Sequence, residues 1–90
     1  MNIIILDGSK MTNRYEAHNY LKEKFNFPDY YGKNLDALWD MLTSISEPVE
    51  IRLINESFLT ENLAVYGKYM IEVFTDIVGE NPNITFEIER

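Results

Sequence analysis

Apolar residues recur along this chain with two periods, and the changes between them mark its elements. Residues 3–6 are a continuous apolar run, three of it β-branched, closed by Asp7-Gly8. Such a run reads as a short strand buried on both faces, as in a parallel sheet covered by helices. Asn13, with Glu16 three residues on, has the form of a capping box. Behind it Ala17, Leu21 and Phe25 share one helical stripe, which Pro28 ends because the residue before proline avoids the α region. Residues 27–33 form an aromatic loop, and Asn34 is placed to cap a second helix. On that helix Leu35, Leu38, Trp39 and Leu42 fall at i, i+3, i+4 and i+7, a core-facing stripe.

After a connection over residues 44–48, the period changes to two. Val49, Ile51 and Leu53 share one strand face, and the polar Glu50 and Arg52 on the other face place this strand near an edge. Residues 55–60 read as a short helix or turn. Leu63, Tyr66, Met70, Phe74 and Ile77 then give the longest amphipathic stretch, with Gly79 as its stop. Asn81-Pro82-Asn83 is a turn, and Ile84, Phe86 and Ile88 alternate with polar residues in a last strand. Strands joined through pairs of helices must run parallel, with right-handed crossovers. The expected fold is α/β: a three-stranded parallel sheet packed with about four helices, one domain over residues 1–90, without repeats or linkers.

Composition narrows the function more than the fold. Among 90 residues, 46% hydrophobic and 13% aromatic content supports a packed core. The absence of cysteine excludes disulfides, thiol nucleophiles and cysteine metal sites, and a single histidine excludes histidine-rich ones. Fifteen acids against eight bases give a net charge of −7. That balance opposes nucleic acid and anionic membranes and suits a basic partner. No apolar run is long enough to span a bilayer, and residues 1–6 lack a basic leader region, so the expected location is the cytoplasm. The sequons at Asn55 and Asn83 then read as chance matches.

Catalytic signatures are missing: there is no phosphate loop, dinucleotide fingerprint, His-Glu-x-x-His or Gly-x-Ser-x-Gly. His18, beside Asn19, reads as a partly exposed helix residue. The segment Tyr30-Tyr31-Gly32-Lys33-Asn34-Leu35-Asp36-Ala37-Leu38-Trp39-Asp40 carries the most chemistry. Asp36 and Asp40 share a helix face opposite the apolar stripe, with Thr43 one turn on. The pair fits a solvated face, an interaction surface, a cation site short of ligands, or a carboxylate pair for hydrolysis. Adjacent tyrosines favour an interface, with one ring packed and the other available. Trp39 lies on the core stripe. Gly32 answers a backbone need, either φ > 0 or close approach.

Residues 28–40, Pro-Asp-Tyr-Tyr-Gly-Lys-Asn-Leu-Asp-Ala-Leu-Trp-Asp, closely resemble the signature of the barstar family, small cytoplasmic inhibitors of barnase-type secreted ribonucleases. Chain length, Asp7-Gly8 after the first strand, His18, Val73-Phe74 and the closing Ile84-Thr85 strand extend the resemblance over nearly the whole chain. It implies the same three-stranded parallel fold. It also implies that this chain is no enzyme, holds no cofactor or metal, and is a monomer that forms a 1:1 complex with a barnase-like ribonuclease. By position, Asp40 would stand where a substrate phosphate sits, among the nuclease's arginines and histidine. Asp36 would meet a second basic group and Tyr30 the catalytic histidine. Tyr31, Asn34, Trp39 and Thr43 would surround that contact, with Asp76 and Glu80 on its rim. Lys33 and Ile45 depart from the pattern, and the connection from Thr43 to Val49 is short for the family. The alternative is an acidic interaction or toxin-immunity module of this fold, directed at a different basic protein.

Overall fold

The computed structural model describes residues 2–90; Met1, counted in the expected domain, lies outside them. Among the described residues the order is β1 (Asn2–Asp7), a 3-10 turn (Gly8–Lys10), α1 (Arg14–Phe25), α2 (Leu35–Thr43), β2 (Val49–Ile54), α3 (Glu56–Leu63), α4 (Val65–Glu80) and β3 (Ile84–Ile88). The strands form one parallel sheet in the order β1-β2-β3. Ile4 pairs with Ile51, which pairs with Phe86 on its other side. This is the expected α/β architecture, and four α-helices accompany the sheet.

Because side chains alternate across a strand, the register sorts the sheet into two faces. Leu6, Val49, Ile51, Leu53 and Ile84 are buried on one, where α1 touches β1 and α4 touches β3. The other face is open. Ile3 and Ile5 are 53% and 43% exposed there, next to Glu50, Arg52 and Glu87 in the register. Two expectations are thereby corrected. The first strand is covered on one face only, and β2 is the central strand rather than an edge. The polar residues of β2 mark the open face of the whole sheet, where Arg52 forms an ion pair with Glu50 and lies 3.9 Å from Glu89.

Helix boundaries follow capping chemistry more closely than proline and glycine. Asn13 caps α1, its Oδ1 accepting from the Glu16 amide at 2.9 Å. The helix ends at a left-handed Asn26, φ 56°, two residues before Pro28, and the Phe27 amide closes back on the Lys22 carbonyl at 2.9 Å. Gly79 is no stop: α4 runs through it to Glu80 and ends at Asn81. The stretch expected to be one long helix is broken at Ala64, φ 54° and ψ −132°, so Leu63 closes α3 and Val65 opens α4.

At the C-terminal end of β1, Gly8 is demanded by packing, since a Cβ there would run into the Asn55 carbonyl of the β2–α3 junction. Asp7 fastens the same corner. Its Oδ1 accepts from Asn55 Nδ2 at 2.9 Å, from the Ser9 hydroxyl at 2.7 Å and from the Ser9 amide at 2.9 Å, and these bonds hold its carboxyl below the usual range.

Candidate functional site

Asn34 sets the start of α2. Its side-chain oxygen accepts from the Ala37 amide at 2.7 Å, and the helix runs from there with Leu38 and Leu42 fully buried. Burying two leucines contributes about 3–6 kcal/mol, which fixes the rotation of the helix. A helix so rotated must turn Asp36, Asp40 and Thr43 outward, and all three are exposed. Leu35 and Trp39 flank the buried stripe and are half-buried against the core.

The charges on α2 are unbalanced. Asp36 lies in the first turn, where the helix dipole favours an anion, but Asp40 lies toward the opposite end, and the last turn holds no basic residue. Among the described residues the ion pairs use Asp29, Glu50, Glu56 and Glu89, and none reaches Asp36, Asp40, Asp76 or Glu80. α2 packs on α4. There Glu72, Asp76 and Glu80 recur every four residues and are all exposed. Sequence reasoning named Asp76 and Glu80 and passed over Glu72, although the i, i+4 spacing was there to read. Neither α2 nor the part of α4 beyond Lys68 contains a Lys or Arg, so these helices add their negative fields with little internal compensation.

The two tyrosines of the preceding loop separate sharply. Tyr30 is 80% exposed, whereas Tyr31 is 4% exposed. Tyr31 thus turns inward, and of the adjacent pair one ring is packed and the other available, as expected. Its ring packs on Phe27, with centroids 4.8 Å apart, and that stack continues through Phe25 and Phe74 to Phe86 on β3. The Tyr31 amide donates to the Pro28 carbonyl at 3.0 Å, closing a turn that leaves Tyr30 outside. Gly32 does not take positive φ. The left-handed residue is Lys33, φ 55°, whose ammonium lies 5.1 Å from the centre of the Tyr15 ring.

His18 is buried, not partly exposed as its polar neighbour Asn19 suggests. It is 1% exposed, and its ring nitrogens each lie 2.7 Å from a phenol oxygen, Nδ1 from Tyr31 and Nε2 from Tyr66. Burial, followed by the nearby Lys33 charge, pushes its pKa down to about 4. Burial likewise raises the Tyr31 phenol. A neutral imidazole with one N–H and one lone pair satisfies both hydroxyls.

These features give an acidic, uncompensated helix face beside the displayed phenol ring of Tyr30. The family description Barstar (barnase inhibitor) matches residues 1–89. The chain belongs to the barstar family. A Bacillus subtilis (strain 168) protein named "Putative ribonuclease inhibitor YrdF" is 43% identical over 81 residues, 89% of each chain. Within this barstar chain the signature residues 28–40 span the loop and most of α2, so family membership and the acidic face meet in one segment. No described helix is long and apolar enough to cross a membrane.

Proposed function

We propose that this chain is an intracellular inhibitor of a barnase-type ribonuclease, in the cytoplasm of the cell that makes both. It lays α2 and the Tyr30 loop over the nuclease active site in a 1:1 complex and catalyses nothing itself. The observation that carries this reading is the pair Asp36 and Asp40, exposed one turn apart on a helix without a cation. A ribonuclease site is built from cations and hydrogen-bond donors that hold a phosphodiester. A carboxylate is the nearest side-chain likeness of a phosphate, and arginine binds it bidentately.

In this reading Asp40 occupies the phosphate position as the main anchor, and Asp36 meets a second basic group. Tyr30 supplies a rigid apolar contact at low entropic cost. Trp39, Asn34 and Thr43 border the contact, while Asp76 and Glu80 extend the negative field at its rim. Tyr31 acts from beneath by holding the loop. Steering by the acidic face speeds encounter with a basic site, most of all at low salt.

The test is titration of a purified barnase-type ribonuclease with this chain while RNA cleavage is followed. Stoichiometric loss of cleavage, with association slowed by added salt, is expected. Full cleavage in excess inhibitor overturns the reading and leaves the alternative of a toxin-immunity module for another basic protein.

A further inference from the structure

His18 takes no direct part in the contact just described, yet it joins three elements. It sits on α1, Nδ1 meets the Tyr31 hydroxyl from the α1–α2 loop, and Nε2 meets the Tyr66 hydroxyl from the first turns of α4, each at 2.7 Å. We propose that His18 is a positioning residue for the recognition loop, clamping Tyr31 to the body of the protein so that Tyr30 is displayed in one orientation before any partner arrives. The inference rests on the functional reading above for its effect on binding, but the clamp exists in the free chain.

Three observations carry it. The Tyr31 half of the clamp is buried, with His18 and Tyr31 1% and 4% exposed, so water does not compete for that bond, while the bond to Tyr66 is partly buried. The loop's other polar tethers lie at its ends or at the surface: the Phe27 amide to Lys22, the Tyr31 amide to Pro28, Asn34 Nδ2 to the Gly32 carbonyl at 3.4 Å, Lys33 over the Tyr15 ring, and an exposed Lys22–Asp29 ion pair at 3.0 Å, a kind of contact that contributes little. Tyr31 is the peptide neighbour of Tyr30, so fixing one ring fixes the backbone from which the other projects. A loop already ordered loses less entropy on binding.

The groups facing the imidazole are Tyr31 and Lys33 from the loop and Tyr66 from α4. On its own helix, Arg14 lies over the Tyr66 ring, 4.1 Å from its centre. Burial and Lys33 both keep the ring neutral at physiological pH. In that state it presents one donor and one acceptor, as two phenols require.

Two variants separate positioning from simple stability. Tyr31→Phe removes one hydroxyl and keeps the ring, and His18→Gln keeps a donor and an acceptor on a shorter frame. Amide hydrogen exchange at Tyr31, whose N–H donates to the Pro28 carbonyl, reads the clamp in the free chain without any partner. Exchange at least tenfold faster is expected for Tyr31→Phe, with partial rescue of His18→Leu by His18→Gln; unchanged exchange in folded variants overturns the proposal. Against a barnase-type ribonuclease, Tyr31→Phe should weaken Kd at least tenfold at a temperature where the variant is fully folded. On a Tyr30→Ala background the same change should weaken Kd less than threefold. An equal loss on both backgrounds, or a loss of stability with Kd unmoved, also overturns it. Should the unaltered chain fail to bind the nuclease, the functional reading falls, and the exchange result alone decides the clamp.

Discussion

The side-chain amide of Asn81 donates to the Leu42 carbonyl at 2.9 Å inside the protein, tying the end of α4 to the end of α2. The same nitrogen donates to the Ile45 carbonyl at 2.9 Å, and Asn81 Oδ1 accepts from the Asn83 amide at 3.0 Å. The Leu42 carbonyl also accepts from the Ile45 amide at 3.3 Å, and the Ile45 carbonyl from Asn83 Nδ2 at 3.3 Å, so Asn81 adds a second, shorter bond to each. Asn81→Ala should cost roughly 2–4 kcal/mol in urea unfolding, because three hydrogen bonds are lost around one buried side chain. Asn81→Asp should cost more, by setting a carboxylate against those carbonyls. A cost below about 1 kcal/mol would show that water replaces the amide.

Asp40 offers a second test, because its contributions to folding and to binding have opposite signs. It sits toward the negative end of α2, one turn from Asp36, with no cation nearby. Asp40→Ala should leave the unfolding free energy unchanged or raise it by a few tenths of a kcal/mol. Binding to a barnase-type ribonuclease should fall by at least about 2 kcal/mol. Calorimetric titration together with chemical unfolding of the one variant checks both. A binding loss below about 1 kcal/mol removes Asp40 as the anchor.

The pH dependence of stability should carry a signature of His18. Its pKa is pushed down to about 4 in the folded chain, from an ordinary value of 6.5. Between those values the unfolded chain holds the extra proton, so stability rises with pH across that window and is fully present above it. The fall from pH 7 to pH 4 should reach about 2–3 kcal/mol from this group. Asp7, whose carboxyl is held low, contributes stability that disappears only below its ordinary 3.8. Unfolding measured in steps from pH 4 to 7 should show a slope that His18→Gln flattens; an identical slope in the variant would assign the effect elsewhere.

Ala64 is the joint between α3 and α4, and it carries a Cβ in a backbone region that favours glycine, at φ 54° and ψ −132°. Ala64→Gly should therefore stabilise the protein by about 1 kcal/mol, although glycine gains more freedom on unfolding. Thermal unfolding reads this directly, and a destabilised variant would mean that the joint relaxes around alanine.

The elements were legible wherever one period ran unbroken. The four-residue spacing of Leu38 and Leu42 set the face of α2, and exposure of Asp36 and Asp40 followed from it. The alternation of Val49, Ile51 and Leu53 likewise gave the buried face of β2. What stayed hidden depended on distant partners. The two tyrosines of the loop are the same residue type, and the one that turns inward meets a buried imidazole from another helix. Tyr66, its other partner, is 48 residues from His18. Ile3 and Ile5 misled because an apolar run does not say whether anything covers it. Ala64 gave no warning, since nothing local asks an alanine for positive φ.

The sheet's register has a consequence for how the molecule is made. Ile4 finds its register partner only at Ile51, so β1 is made several seconds before β2, at ordinary rates of synthesis. During that interval a sticky isoleucine ribbon has nothing to zip onto. The acidic helix emerges inside the same interval, before the α4 segment that braces it. A nascent chain would thus display its aspartates early, but hold them on a braced face only once α4 has been made.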